Sequence, residues 1–321
     1  LQNQILQEAL ARKEFRAAER RFTKKCRRST MPSKPTSFSP TQGAPPAGAV
    51  YRTLPCRFQL LDVRLTGTTL AHAVEILLGW VERRERRYVC IFAVDSLLQC
   101  HAEPRLAAIA NQADMTLTDG MPLVWLGRRV AKLPINRCYG PDVMFRTFEA
   151  GCPRGVRHYF YGGADEVVLD NLQARLLEKL PTLQIAGRYA PPHRPLTPDE
   201  RVFVVRDIQA SGADIVWVGI GTPKQDFWVG EFRALLDTPV LVAVGAAFNF
   251  HAGTVRQAPR WMMRNGLEWI FRLAMEPKRL WKRYIVGNPH FILLVLRQWL
   301  TGKPTPLCRV EPHTPTDASP P

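Results

Sequence analysis

From Phe58 to about residue 255 the chain alternates short apolar runs with amphipathic stretches. Residues 68–83 place apolar side chains at helical spacing, and 88–94 is a near-continuous apolar run of strand length. Three later units make the rhythm plainest. The run at 158–161 enters Gly162-Gly163 ahead of a helical pattern over 166–180, and the run at 215–218 enters Gly219-Ile220-Gly221 ahead of another over 224–236. The run at 240–244 ends in Gly245. Strand, glycine turn and helix in repetition predict an α/β fold, a parallel sheet with helices on both faces. Such sheets hold ligands beyond the carboxyl ends of their strands, where these glycines fall.

After Gly253 the chain turns basic and Trp-rich, then reaches Asn288-Pro289 and an apolar run at 291–296. Asn288 as N-cap and Pro289 at the first helical position predict a helix over 289–300. It would be about 18 Å long at 1.5 Å per residue, short of the ~30 Å apolar core of a bilayer, so it would lie on a membrane rather than cross it. At the other end, residues 1–30 read as a charged helix and 33–48, rich in Pro, Ser, Thr and Gly, as a flexible linker. Met31, just ahead of that linker, is a candidate translation start. The domain plan is therefore a basic segment and linker over 1–50, an α/β core over 51–255, a basic amphipathic appendage over 256–302 and a disordered, proline-bearing tail over 303–321.

Charge narrows the choice of partner. Lys and Arg number 44 against 28 Asp and Glu, a formal +16, which favours an anionic partner: nucleic acid, anionic lipid or phosphorylated substrate. The first 31 residues hold nine basic and three acidic side chains, so about six of the sixteen excess charges lie there, which weakens the nucleic-acid reading. Seven cysteines with no C-x-x-C pair argue against a zinc site or a disulfide framework and fit a reducing compartment. No stretch approaches the ~18 apolar residues of a membrane span, and no secretory signal is evident, so a cytoplasmic location is expected.

Chemistry concentrates at the predicted strand ends. Gly219, Gly221, Thr222, Pro223, Lys224 and Gln225 lie between a strand and a helix, where amides, a helix N-terminus and one lysine suit a diphosphate. The loop departs from the dinucleotide fingerprint and from the P-loop, and a tight turn needing glycine is its plain structural reading. Asp119-Gly120 follows the run at 115–118, so Asp119 projects from a strand end either as a general base or as the cap of the next helix. His193 and His251 lack partners at metal-ligand spacing, and structural roles are expected for both. No Asp-x-Asp occurs, so the carboxylate pair that usually holds a divalent ion on a nucleotide sugar is missing and no metal or other cofactor is expected. Arg272, Lys278, Arg279, Lys282 and Arg283 form the densest basic group outside the first segment, suited to a leaving diphosphate or to anionic lipid headgroups. Glu268, Arg272 and Glu276 at spacing four could instead be ion pairs along one helix. Trp281 and Trp299 suit a membrane interface or a core.

Taken in order, Asp119-Gly120-Met121-Pro122, Tyr139-Gly140-Pro141-Asp142, Gly162-Gly163, Gly219 through Gln225, the stretch 244–253 with Asn249, Ala258-Pro259 and Gly266-Leu267-Glu268-Trp269 on to Tyr284 resemble the WecG/TagA/CpsF glycosyltransferases. The resemblance covers roughly 60–300. It implies a Rossmann-like core with a C-terminal appendage that closes over the donor and touches the membrane. It also implies an inverting, metal-independent transfer from a UDP-sugar to an undecaprenyl-diphosphate-linked sugar, in surface-polysaccharide or teichoic-acid assembly. On that basis Asp119 falls on the proposed base. Gly120, Tyr139, Gly140, Asp142, Gly162, Gly163, Asn249 and the 219–225 loop fall on substrate-binding positions, and Arg279 and Arg283 fall in the segment whose arginines face the diphosphate. One departure stands out: where relatives carry Thr-x-Asn at the end of the first core strand, this chain has Ile91-Phe92-Ala93, which removes two polar side chains. Asp226 also replaces the usual Glu.

Two other readings follow. Loss of those polar groups would suit a donor-binding or scaffolding protein of a polysaccharide-assembly complex. A nicotinamide-dependent oxidoreductase needs a third loop glycine and a ribose-binding acid that the chain lacks. The sugar is open among N-acetylmannosamine, its uronic acid, glucose and glucuronic acid, and a homo-oligomer is left open.

Overall fold

The structure, a computed structural model, describes residues 55–301 apart from Ala131 and Pro134. The segments expected over 1–50 and 303–321 lie outside the described residues. The stretch 194–206 belongs to a separate compact unit, within which Arg194 holds Glu200 through two 2.7 Å bonds.

The main unit opens with an antiparallel hairpin, β1 (Arg57–Leu60) and β2 (Val63–Thr66). Exposed Gln59 lies between buried Phe58 and Leu60, and exposed Arg64 between buried Val63 and Leu65, as a one-faced ribbon requires. Then come α1 (Leu70–Glu82), β3 (Arg87–Phe92), α2 (Val94–Ala102), α3 (Pro104–Gln112), β4 (Met115–Thr118), α4 (Met121–Val130), α5 (Gly140–Gly151), β5 (Arg157–Gly162), α6 (Glu166–Lys179) and β6 (Gln184–Tyr189). The chain continues through α7 (Pro198–Ser211), β7 (Ile215–Gly219), α8 (Lys224–Phe232), β8 (Val240–Ala243) and α9 (Ala247–Ala252). Four further helices, α10 (Arg260–Arg264), α11 (Glu268–Met275), α12 (Pro277–Trp281) and α13 (Gly287–Leu300), make up the C-terminal appendage.

Local chemistry sets many of these boundaries. Thr69 accepts the His72 amide at 3.3 Å to start α1, and the Asp165 carboxylate accepts the Val168 amide at 2.9 Å to start α6. Strands β3, β4, β7 and β8 are buried along nearly their whole length because helices cover both faces of the sheet.

The six core strands are parallel in the order β4-β3-β8-β7-β5-β6. From β3 the chain steps outward to β4, whereas β8 lies on the other side of β3. From β5 it steps outward to β6, whereas β7 lies on the other side of β5. The order thus reverses at two places, between β3 and β8 and between β5 and β7, and each opens a crevice at the carboxyl edge. Phe148, Phe160, Trp217 and Phe248 pack edge to face beneath it. The Trp217 indole donates to Nδ1 of fully buried His158 at 3.1 Å, and burial pushes that imidazole down to about 3, so it stays neutral.

The C-terminal helix differs from expectation. It starts at Gly287, with Val286 in the capping position, so Asn288 lies inside it and is no cap. It follows a wide π turn over Lys282–Val286, itself continuous with α12. Pro289 has no N–H to give the Ile285 carbonyl, and the π turn lies where that bond is missing. Among the described residues no helix is long and apolar enough to cross a membrane.

Candidate active site

Strand β4 pairs with β3 so that Thr118 faces Phe92, and the Asp119 amide continues the ladder to the Phe92 carbonyl at 2.8 Å. Asp119 therefore stands at the carboxyl edge beside Ala93. The Cys138 amide bonds the Thr118 carbonyl at 2.8 Å and brings Arg137 alongside. The Arg137 guanidinium grips Asp119 three ways: Nη2 to Oδ1 at 2.9 Å, Nε to Oδ1 at 3.1 Å, and Nε to the backbone carbonyl. The same Nη2 donates to Oε2 of Glu268 on α11 at 2.6 Å. Side-chain exposure is 26% for Asp119, 16% for Arg137 and 15% for Glu268, so the bridge is largely shielded from water. Burial raises the pKa of Glu268 against the pull of Arg137, and the two carboxylates raise that of Arg137 against its own burial. Arg137 also lies over the Tyr139 ring, 4.3 Å from its centroid. The carboxylate of Asp119 thus goes to Arg137. The expected alternative, a helix cap, has no bond to support it.

Asp119 and Gly120 line a cavity of about 620 Å³ together with Ala93, Asp95, Arg137, Glu268, Arg272 and Arg283. Its remaining wall is mostly apolar and comes chiefly from α4 and α13, with Val94, Met263, Trp269 and Tyr284. The appendage reaches α4 through a tight turn at Gly266 (φ +71), where a Cβ would lie 2.7 Å from the Trp125 ring. Arg283 pairs with Asp95 at 3.4 Å, and Asp95 also accepts from Gln99 at 2.7 Å.

The glycine loops form a second cluster along the same edge, at the β5/β7 crevice. Gly162 (φ +145) packs so closely on the next strand that a Cβ would fall 2.6 Å from the Gly219 carbonyl. The Gly163 amide bonds that carbonyl at 3.3 Å. Gly221 faces open space, and Thr222 and Pro223 lead into Lys224, exposed at the first residue of α8. Buried Gln225 accepts the Gly245 amide at 2.8 Å and so ties this loop to the end of β8. Gly140 abuts the Val244 carbonyl, half-buried Asn249 lies on α9 just beyond β8, and Asp142 is exposed on the first turn of α5. None of the glycine-loop residues lines the cavity that holds Asp119.

Several sequence expectations change here. Arg283 lines the cavity, whereas Arg279 is exposed outside it and pairs with Glu276 at 2.6 Å. The expected ladder Glu268, Arg272, Glu276 does not form: Glu268 turns to Arg137, and the Arg272 guanidinium lies over the Phe250 ring. His251 is structural, its Nε2 3.0 Å from the Pro141 carbonyl and its ring stacked on Phe145. Arg137 was not singled out from the sequence. Its one signal is adjacency to the Tyr139-Gly140-Pro141-Asp142 motif, which says nothing of the bond to Glu268.

A parallel sheet with glycine turns, a carboxylate and arginines along its carboxyl edge has the layout of a group-transfer enzyme that handles a phosphorylated substrate. The glycosyl transferase WecG/TagA/CpsF family model matches residues 58–305, and the chain belongs to that family; it is a glycosyltransferase. It is 31% identical over 194 residues to an N-acetylglucosaminyldiphosphoundecaprenol N-acetyl-beta-D-mannosaminyltransferase of Bacillus spizizenii, spanning 60% of this chain and 72% of that one. A Bacillus subtilis protein of the same name is 28% identical over 190 residues, spanning 59% of this chain and 71% of that one.

Proposed function

We propose that the protein transfers a sugar from a UDP-sugar to a sugar carried on undecaprenyl diphosphate, with inversion at the anomeric carbon. The observation that carries this reading is the placement of Asp119. Both carboxylate bonds from Arg137 go to Oδ1, which leaves Oδ2 to accept from an acceptor hydroxyl, and Asp119 lines the cavity. Arg137 fixes the orientation of that carboxylate. Oδ2 takes the hydroxyl proton as the oxygen bonds the anomeric carbon, while the bond from that carbon to the diphosphate breaks on the opposite face. The glycine-loop amides, Arg272 and Arg283 offset the charge that grows on the departing UDP, with no step assigned to a metal. The names of the relatives make N-acetylmannosamine the first donor sugar to test, ahead of its uronic acid, glucose and glucuronic acid.

The appendage presents Trp261, Met275, Trp281, Ile285, Leu293 and Leu300 to solvent, interspersed with Lys278, Lys282 and Arg297. Indoles and aliphatic side chains among cations suit the inner face of an anionic membrane, with the protein seated peripherally. Such seating would bring the lipid-borne acceptor to the cavity mouth.

The deciding assay is transfer from UDP-N-acetylmannosamine to N-acetylglucosaminyl diphosphate lipid. The wild type should turn over and Asp119→Asn should lose about 10²–10⁴-fold in kcat while still binding UDP. Retention of the wild-type rate by the variant overturns the assignment of the base. A second reading rests on Ala93, which lines the cavity beside Gly120 without a polar group. A wild type that binds the UDP-sugar but never forms product supports that scaffolding role.

A further inference from the structure

Asp95 lines the cavity but takes no part in the chemistry described above. Ile91, Phe92, Ala93 and Val94, at the end of β3 and the start of α2, are all apolar, and Asp95 follows them on the first turn of that helix. Its side chain is 23% exposed. Gln99, one turn further along α2, donates from Nε2 to Oδ2 at 2.7 Å, and Nε of Arg283 lies 3.4 Å from the same oxygen. The amide ends of a helix's first turn also favour a carboxylate there. Asp95 is thus held from within its own helix. Arg283, by contrast, comes from the appendage, on the π turn Lys282–Val286.

A guanidinium has one Nε edge and a terminal pair of Nη groups that can take a phosphate through two parallel bonds. Asp95 meets Arg283 at Nε, which is buried and has no hydrogen-bond partner, so the 3.4 Å contact is an ion pair. Among the described residues neither Nη of Arg283 has a hydrogen-bond partner, and the guanidinium lies over the Tyr284 ring, 5.7 Å from its centroid. A grip on the Nε edge leaves the fork for a ligand. We propose that Asp95 is a positioning residue for the reaction: it holds the Nε edge of Arg283 so that the Nη fork meets the diphosphate of the donor. The inference rests on the role given to Arg283 in the proposed function and adds the core residue that aims this appendage arginine. Charge alone would act in the reverse sense. A carboxylate near a bound diphosphate repels it, so if Asp95 acted only through its field, its removal would tighten binding. Loss of the aim of Arg283 weakens binding even though a repelling charge has gone.

The test is binding of UDP and of uridine by the full chain, followed by NMR titration in the wild type, Asp95→Ala, Arg283→Gln and the double variant. Asp95→Ala should weaken UDP binding about tenfold, the scale of one hydrogen bond to a charged group, and leave uridine within about twofold. In the Arg283→Gln background the same substitution should change UDP binding by less than about twofold, because no guanidinium is left to aim. Asp95→Asn keeps the shape without the charge and repeats the test should Asp95→Ala not fold, with a loss of about threefold or more. UDP binding unchanged or tightened by the Asp95 variants, equal losses for UDP and uridine, or the full loss in the Arg283→Gln background overturns the inference. So does a wild type that binds UDP no better than uridine. None of these readouts needs turnover. A wild type that binds UDP but transfers no sugar to any lipid acceptor counts against the proposed function alone.

Discussion

The two ends of the carboxyl edge are built by opposite means. At the β5/β7 crevice the structure is backbone: Gly162 against Gly219, Gly163 bonded to the Gly219 carbonyl, and Gln225 tying the loop to Gly245. At the β4 end it is side chain: Asp119 held by Arg137, which reaches 131 positions along the chain to Glu268. The first arrangement leaves no room for a Cβ at Gly162 or Gly219, whereas Gly221 faces open space. The second places charges with precision but depends on the appendage arriving. A donor diphosphate asks for the first, and a reacting carboxylate for the second. On the proposed function, binding at the glycine loops and chemistry at Asp119 should be open to separate damage.

The largest expected effect sharpens the contrast at Asp119, where the Asn variant should lose about 10²–10⁴-fold in kcat and leave UDP binding intact. Next is Arg137→Leu. It leaves Asp119 and Glu268 facing each other in a shielded site without their shared cation, and like charges so placed raise carboxylate pKa values. The expected result is a fall in kcat of about 100-fold, with the acid limb of the pH–rate profile moved to higher pH; UDP affinity measured in parallel should hold. An unmoved limb would show that Arg137 only supports the fold. Glu268→Gln keeps the hydrogen bond but removes one charge, and should move the same limb by less and in the opposite direction.

On the backbone side, Gly162→Ala drives a Cβ to within 2.6 Å of the Gly219 carbonyl, atoms that no side-chain rotation can move. A loss of about 1–3 kcal/mol in urea unfolding is expected, with UDP affinity reduced more than the pH profile is altered. A variant as stable as the wild type would show that the β5/β7 contact yields.

The smallest effect concerns Asp226, fully buried on the first turn of α8 behind the glycine loop. Burial pushes its carboxyl up to about 7, with the nearby Thr222 hydroxyl and Cys90 thiol offsetting only part of the rise. A raised carboxyl favours the fold at low pH, and that advantage is lost as pH climbs from about 4 through about 7. Asp226→Asn should therefore gain melting temperature relative to the wild type at pH 8 compared with pH 4. A difference independent of pH would mean that the carboxyl titrates normally. His158 acts in the opposite sense. Its imidazole is depressed to about 3, so stability should fall as pH drops from about 6.5 toward 3, and His158→Phe should flatten that part of the curve.

How much was legible in the sequence follows the same division. The strand and glycine-turn units read correctly because hydrophobic period and turn chemistry are properties of a few adjacent residues: the pattern over 166–180 became α6 at Glu166–Lys179, and the run at 240–244 became β8 at Val240–Ala243. The reading erred where a local signal met a competing nonlocal one. Asn288-Pro289 has the composition of a helix start, yet helix continues through it from α12 by way of the π turn. Glu268 and Arg272 have ion-pair spacing, yet Glu268 takes largely buried Arg137 as its partner at 2.6 Å.

By itself, then, the sequence determined the alternation of strand and helix, the parallel sheet, the carboxyl-edge location of Asp119 and the glycine loops, and the family. These rest on short-range periodicity and on residue types whose backbone preferences act locally. Tertiary structure alone decided that Arg137 joins Asp119 to Glu268, that Arg283 and not Arg279 lines the cavity, and that α4 and α13 both line it. Each of those depends on how distant segments pack, and a side chain's partner across a hundred residues is set by the fold's geometry, which no local pattern records.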